Sequence, residues 1–240
     1  MKFNFIASIK EFYRMLTISP QVRIGGWDYD DYWESKRGND IGKNINDYQL
    51  FRASWVSERV NKKDFVLDLG CGDGAVIKKI RDHVEVRVIG ADVSQKAITA
   101  LSEVGIDGIL CDLNDIEGSL SKVKDVDHIL LLEVIEHYPN SENLLLNCMN
   151  KVCKSLVFSI PNTGYLPYRL RLLFGRFPAQ WRVSPGEHLR FWTLRDLQIW
   201  LEQLGLLESA EVDTYQGIPI LNRLFPSVFS AGIIVQIKKS

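Results

Sequence analysis

From Phe65 onward the chain alternates short apolar runs with segments whose apolar residues recur every three or four positions. FVLDL (Phe65 to Leu69) precedes a helical AVIKKIRDH, and VRVIGADV (Val86 to Val93) precedes SQKAITALSEVG, with Ser94 placed as its N-cap. GILCD (Gly108 to Asp112), DHILLLEV (Asp127 to Val134) and KSLVFSIPN (Lys154 to Asn162) follow as strands, with SENLLLNCMNKV as a helix between the last two. TLRDLQIWLEQLG reads as a helix from a Thr193 N-cap to a Gly205 C-cap. LLESAEVDTY and FSAGIIVQIKK are two strands for the C-terminal edge. Runs such as ILLL, apolar on both faces, belong in a sheet covered by helices on both sides. The pattern predicts an α/β, doubly wound, mostly parallel seven-stranded sheet.

Two regions depart from the alternation. Residues 1 to about 60 predict a helical, aromatic leader, and an insert from about Gly164 to Leu189, rich in Arg, Pro and aromatics, follows the fifth strand. In a doubly wound sheet both lie at the carboxyl ends of the strands, where ligands bind, so both are candidate lids on a domain of residues 61–240.

The 240 residues are 46% hydrophobic and 25% charged, enough for a full core. Lys plus Arg number 29 against 30 Asp plus Glu, so charge gives no argument for a nucleic-acid partner. Four separated cysteines without a CxxC pair suggest reduced thiols, and the scattered histidines show no metal-ligand spacing, so no metal is expected. MKFNFIASIKEFYRML lacks the apolar core of a signal peptide, and no run approaches the ~20 apolar residues of a membrane span. The expectation is a cytoplasmic chain, with room for peripheral membrane contact.

VLDLGCGDG (Val66 to Gly74) holds the chemistry. Gly70, Gly72 and Gly74 form G-x-G-x-G behind the first strand, whereas a dinucleotide fingerprint is G-x-G-x-x-G. Asp92, ending the second strand, is placed to accept from both ribose hydroxyls, and Asp112, ending the third, from an exocyclic adenine amine. Asp68, inside the first strand, is costly to bury without a partner. Three acids around a glycine turn repel a pyrophosphate but suit a nucleoside joined to a cationic amino acid, S-adenosylmethionine.

These residues resemble class I S-adenosylmethionine-dependent methyltransferases. VLDLGCGDG is similar to their first motif, GADVS (Gly90 to Ser94) to the second, LCDLND (Leu110 to Asp115) to the third and LLEVIEHYPN (Leu131 to Asn140) to the fourth, across roughly Asp64 to Asn162. SIPNTGYLPYRLRLLFGRFP and GEHLRFWTLRDLQIWLEQLGL resemble the methionine-biosynthesis MetW-type family. WDYDDYWESKRG (Trp27 to Gly38) resembles instead the aromatic leader of ubiquinone-type and glycan-modifying methyltransferases.

The resemblance implies a Rossmann-like methyltransferase fold and assigns roles. Gly70, Cys71, Gly72 and Gly74 would present the turn to the methionyl group, with Asp68 stapling that turn or meeting the ammonium. Asp92 with Val93 would hold the ribose, and Asp112 with Leu113 the adenine. Glu133 and His137 bound E-V-I-E-H where the loop faces the sulfonium. His137 and His188 are candidate general bases, the alternative for each being packing. Glu136 is expected to be solvated or loop-capping. Tyr29, Tyr32 and Trp33 are candidates to close over the cofactor. Arg169, Arg171, Arg176 and Arg182 are candidates to grip an anionic acceptor or meet a membrane surface, unless their stems merely pack on a lid. The expected acceptor is a small molecule, lipid or glycan, with O-methylation favoured. A rival function is a cofactor-binding regulatory partner that methylates nothing. The glycine spacing disfavours a third, a nicotinamide oxidoreductase.

Overall fold

The computed structural model describes residues 5–19, 30, 45–121, 123–180 and 188–239. Its helices are α1 (Phe5–Thr17), α2 (Asp47–Ser57), α3 (Ala75–Val84), α4 (Gln95–Glu103), α5 (Ile116–Ser121), α6 (Ser141–Lys151), α7 (Leu166–Leu173) and α8 (Leu194–Gln203), with two single turns, α9 (Leu221–Leu224) and α10 (Pro226–Phe229). Its strands are β1 (Phe65–Leu69), β2 (Arg87–Asp92), β3 (Asp107–Leu110), β4 (Val126–Leu132), β5 (Val152–Pro161), β6 (Ala210–Tyr215) and β7 (Gly232–Lys238).

The seven strands form one sheet in the order β3-β2-β1-β4-β5-β7-β6. Neighbours are parallel from β3 to β5, and β7 runs antiparallel to both β5 and β6. Alternate side chains divide between two cores. Leu67, Leu69, Ile129 and Leu131 pack with Leu144 and Cys148 of α6 and Leu197 and Leu201 of α8. Val66, Leu130, Val157 and Ile234 meet Ala53 and Val56 of α2 and Val76 and Ile80 of α3. The predicted N-caps hold: Ser94 accepts from the Ala97 N–H and Thr193 from the Asp196 N–H. Gly205, at φ +70°, falls one position beyond the last capping residue, Leu204.

The leader is more than a cover. A capping box between Asn46 and Gln49 starts α2, which then sinks Ala53, Trp55 and Val56 into the second core. The insert contains a helix, α7, behind Pro167. Arg171 of α7 is buried, and its guanidinium donates to the carbonyls of Met15, Leu16, Ile18 and Phe177. Arg176 adds a bond to the Ile18 carbonyl at 2.9 Å. These two cations cap the C-terminal end of α1, whose last carbonyls lack helical partners. That role corrects the expectation for Arg171: its charge is committed inside the fold rather than offered to an acceptor or a membrane.

At the amino ends of the strands, His128 bridges Asp64 (2.9 Å) and Ser155 (2.8 Å), and Gln236 donates to the same Ser155 hydroxyl. Burial raises the Asp64 pKa, but hydrogen bonds from Lys154, the Asn61 N–H and His128 outweigh it and hold it at about 2. This buried chain staples the sheet opposite the ligand end.

Replacing Arg171 with Leu should strand the α1 carbonyls and lower stability by about 1–3 kcal/mol. Urea denaturation would show it as a lower midpoint. Leu172→Ala, at an exposed neighbour, should stay within about 0.5 kcal/mol of wild type.

Candidate functional site

The carboxyl ends of the parallel strands open into a cavity of about 570 Å³. Its floor is the turn after β1, where Gly70 and Gly74 adopt φ +72° and +71°. A Cβ at Gly70 would stand 2.6 Å from Val134, and one at Gly74 2.3 Å from Leu101. The turn therefore requires glycine on steric as well as conformational grounds. Asp92 reaches back from β2, accepting the Gly72 N–H at 2.9 Å and the Ser94 N–H at 3.0 Å. Its buried carboxylate fixes the glycine turn and the start of α4 together. Cys71, Val93 and Leu113 line the same cavity. Asp112 is exposed at its rim, accepting from the Asn114 N–H and side-chain amide as the cap of a short 3-10 turn.

Asp68 lies under the turn at 2% exposure, and its Oδ1 has no hydrogen-bond partner. Burial, then the charge of Asp92, pushes its pKa up to about 8 despite Arg52 nearby. Arg52 comes from α2 and is itself buried; it donates to the Tyr215 hydroxyl at 3.2 Å and stands 3.4 Å from Glu133. Glu133 follows β4 at φ +60°, an unusual conformation for a residue with a side chain. The Ser159 and Tyr215 hydroxyls hold its carboxylate at 2.8 and 3.0 Å. Neither Arg52 nor Tyr215 emerged from the motifs. The available signal for Arg52 was a cation three and four positions before Trp55 and Val56, on the apolar side of α2.

At the far wall stand Glu136, His137 and His188. The sequence suggested a solvated or capping Glu136, but the fold turns it inward to 1% exposure, and neither carboxylate oxygen has a hydrogen-bond partner. Burial, then the neighbouring Glu133, raises its pKa well above the usual carboxylate range. The His137 and His188 rings meet edge to face at 4.6 Å. Burial and, secondarily, His137 lower the His188 pKa to about 3. His188 would thus hold an abstracted proton only weakly, a poor property for the general base it was expected to supply. His83 and His128 lie away from this end, in the last turn of α3 and near the start of β4.

Both additions to the sheet reach the cavity, through Glu11, Arg14 and Tyr48 on the leader side and Tyr168, Ala179 and Gln180 on the insert side. Asp30 of the leader accepts from the Ser94 hydroxyl and the Lys96 N–H at the start of α4. Arg169 is exposed, with Nε donating to the Gly164 carbonyl. Tyr29, Tyr32, Trp33 and Arg182 lie outside the described residues.

Residues 46–207 match the family model of a methyltransferase domain. The chain belongs to the class I S-adenosylmethionine-dependent methyltransferases. Its cofactor is S-adenosylmethionine. The chain is 32% identical over 198 residues to the bifunctional methionine biosynthesis protein MetXA/MetW of Rhodopirellula baltica, which spans 75% of this chain and 30% of that protein. It is 26% identical over 163 residues to the ubiquinone biosynthesis O-methyltransferase of Coxiella burnetii, covering 65% and 69% of the two chains. A methyltransferase structure from Archaeoglobus fulgidus superposes with a TM-score of 0.61 at 18% identity, covering 88% of this chain and all of that one. Magnesium protoporphyrin IX methyltransferase from Synechocystis, crystallised with bound SAH, gives 0.54 at 16% identity over 98% of this chain and 96% of that one. Both structures share the fold of this methyltransferase.

Asp68→Asn should separate stability from binding. An acid whose folded pKa lies above its unfolded value loses stability as pH rises from about 4 toward 8, so the cofactor-free variant should melt a few degrees above wild type at pH 7.5. Its S-adenosylmethionine affinity should fall at the same time. Differential scanning fluorimetry and titration calorimetry would read the two effects.

Proposed function

We propose that the protein transfers the S-adenosylmethionine methyl group to an oxygen of a small acceptor. The observation that carries this reading is one cavity lined by the glycine turn, by Asp68 and Asp92, and, on its far wall, by Glu136, His137 and His188. Its volume lies within the usual range for small-molecule sites. Asp92, which accepts two backbone N–H groups, would also receive the ribose hydroxyls, and Asp112, exposed at the rim, would receive the adenine amine. The amino-acid end of the cofactor then lies over the turn after β1. Its ammonium can ionise Asp68 and its carboxylate can approach Arg52.

The reaction is an in-line displacement. An acceptor oxygen forms a bond to the methyl carbon, the carbon–sulfur pair returns to sulfur as a neutral thioether, and the acceptor proton passes to water. The cofactor supplies the leaving group, and the protein supplies alignment and excluded water; positioning alone can account for roughly 7–11 kcal/mol of barrier. The oxygen preference rests on the polar side chains of Glu136, His137 and His188 in the cavity lining and on the relative named a ubiquinone biosynthesis O-methyltransferase.

The insert favours an apolar or lipid-linked acceptor. Leu173 and Phe174, at the end of α7, are 74% and 76% exposed, with Leu172 and Phe177 exposed beside them. With Arg171 and Arg176 turned inward, contact with a membrane surface would be mainly apolar rather than basic. No described helix is long and apolar enough to cross a membrane.

Asp92→Ala removes two charge-assisted acceptor positions, each worth about 1.5–3 kcal/mol, so calorimetry should show cofactor affinity reduced by more than tenfold. Unchanged affinity would reject the ribose assignment. Incubation with S-adenosylmethionine and a panel of phenols, catechols and lipid-linked hydroxyls, followed by mass spectrometry, tests transfer. Cofactor binding with no methylated product from any of them would favour the regulatory-partner reading. For the insert, Leu173→Ser with Phe174→Ser should abolish co-flotation with anionic vesicles while cofactor affinity stays unchanged. Equal flotation would leave α7 as a lid only.

A further inference from the structure

Glu136, His137 and His188 come together although His188 is remote in sequence from the other two. One ligand-capable atom from each lies within 4.8 Å of the others. Glu136 and His188 are buried, while His137 is partly open. The Glu136 Oε1 lies 3.8 Å from His137 Nε2. Both Glu136 carboxylate oxygens and the Nδ1 of His188 lack hydrogen-bond partners, a costly condition for groups withdrawn from water.

The backbone fixes the two segments that carry these side chains. The Glu136 carbonyl accepts the N–H groups of Leu189 and Arg190 at 2.8 and 3.0 Å. Arg190 in turn pairs with Glu142, which also accepts from the Trp200 indole at 2.7 Å. Each segment thus borders the other immediately beside the cluster. All three side chains line the cavity that contains the glycine turn and Asp68.

We propose that Glu136, His137 and His188 form a binding site for a divalent first-row transition cation on the acceptor side of the cavity. Two imidazoles and one carboxylate are a donor set for Zn²⁺, Fe²⁺, Mn²⁺ or Co²⁺, whereas Mg²⁺ prefers oxygen ligands throughout. Ligand bonds of about 2.0–2.2 Å place tetrahedral donors roughly 3.3–3.6 Å apart, so donors that lie within 4.8 Å of one another would draw together by up to about 1.5 Å on binding. The cation would balance the buried carboxylate, occupy the unused imidazole nitrogen and keep open positions facing the cavity.

Its use in the reaction rests on the proposed oxygen methylation. An acceptor hydroxyl bound at an open position becomes more acidic and passes its proton to water. The resulting oxyanion then takes the methyl carbon while the sulfonium becomes a neutral thioether, so charge and atoms balance. The arrangement assigns acceptor activation to a cation and gives both histidines the role of ligands.

The test is made on the full chain without cofactor. After treatment with a chelator and desalting, titration with Co²⁺ should give 1:1 binding and visible d–d absorption from a protein-bound ion. Calorimetry with Zn²⁺ should give the same stoichiometry, with Mg²⁺ at least tenfold weaker. Glu136→Gln and His188→Gln, checked for cooperative melting, should each weaken Co²⁺ binding by about 100-fold or more. Absence of 1:1 binding at millimolar Co²⁺, or undiminished binding in both folded variants, would overturn the site. Cofactor affinity is measured separately. Metal binding without S-adenosylmethionine binding would overturn the methyltransferase reading alone, and the reverse result would overturn the cation site alone.

Discussion

Burying negative charge at the carboxyl edge of the sheet is the constraint around which the site is arranged. Asp68, Asp92 and Glu136 are all withdrawn from water there, and each handles the cost differently. Asp92 accepts two backbone N–H groups. Asp68 has Arg52 nearby but no hydrogen bond to Oδ1, and burial drives it toward the neutral acid. Glu136 has no hydrogen-bonded partner for its carboxylate. The first device builds the turn; the other two leave carboxyl oxygens without hydrogen-bond partners beside the cavity. These unsatisfied groups weigh against stability at the cavity, and the hydrophobic cores on either side of the sheet offset them.

The sheet was largely legible because its period-two runs and caps agree with one another. FVLDL matches β1 at both ends, and Ser94 and Thr193 occupy the caps assigned to them. Boundaries moved where local hydrogen bonding intervened. LLESAEVDTY begins as a 3-10 turn over Leu207–Ser209 before β6, and β4 stops at Leu132 because Glu133 turns to positive φ. The glycine turn and Asp92 stood out by their places behind β1 and at the end of β2, and Glu133 through the resemblance of E-V-I-E-H; all line the cavity. Arg52 and Tyr215 were harder to find because they converge on Glu133 from α2 and the end of β6, a meeting that only the tertiary fold produces.

The Arg-rich insert shows the limit of composition. Its arginines suggested a charged grip, yet Arg171 and Arg176 complete the hydrogen bonding of another helix end, and the outward face is Leu and Phe. Charge in a sequence identifies a group that needs partners, but the end of α1, far upstream, determined which partners these arginines found. Glu136 makes the converse point: an acid in a loop looked solvated, and the turn after β4 buried it.

The antiparallel β7 has a consequence for the order of folding. It is inserted between β5 and β6, pairing seven residues with the former and six with the latter. Tyr215, which ends β6 and holds Glu133, reaches the cavity through a strand joined to the sheet only by β7. During synthesis the parallel strands can assemble first, but the arm that restrains Glu133 locks only after residue 238 has emerged. A nascent chain short of that point carries the glycine turn and Asp92 while Glu133 still lacks its Tyr215 partner, so one wall of the cavity can form before the other is in register.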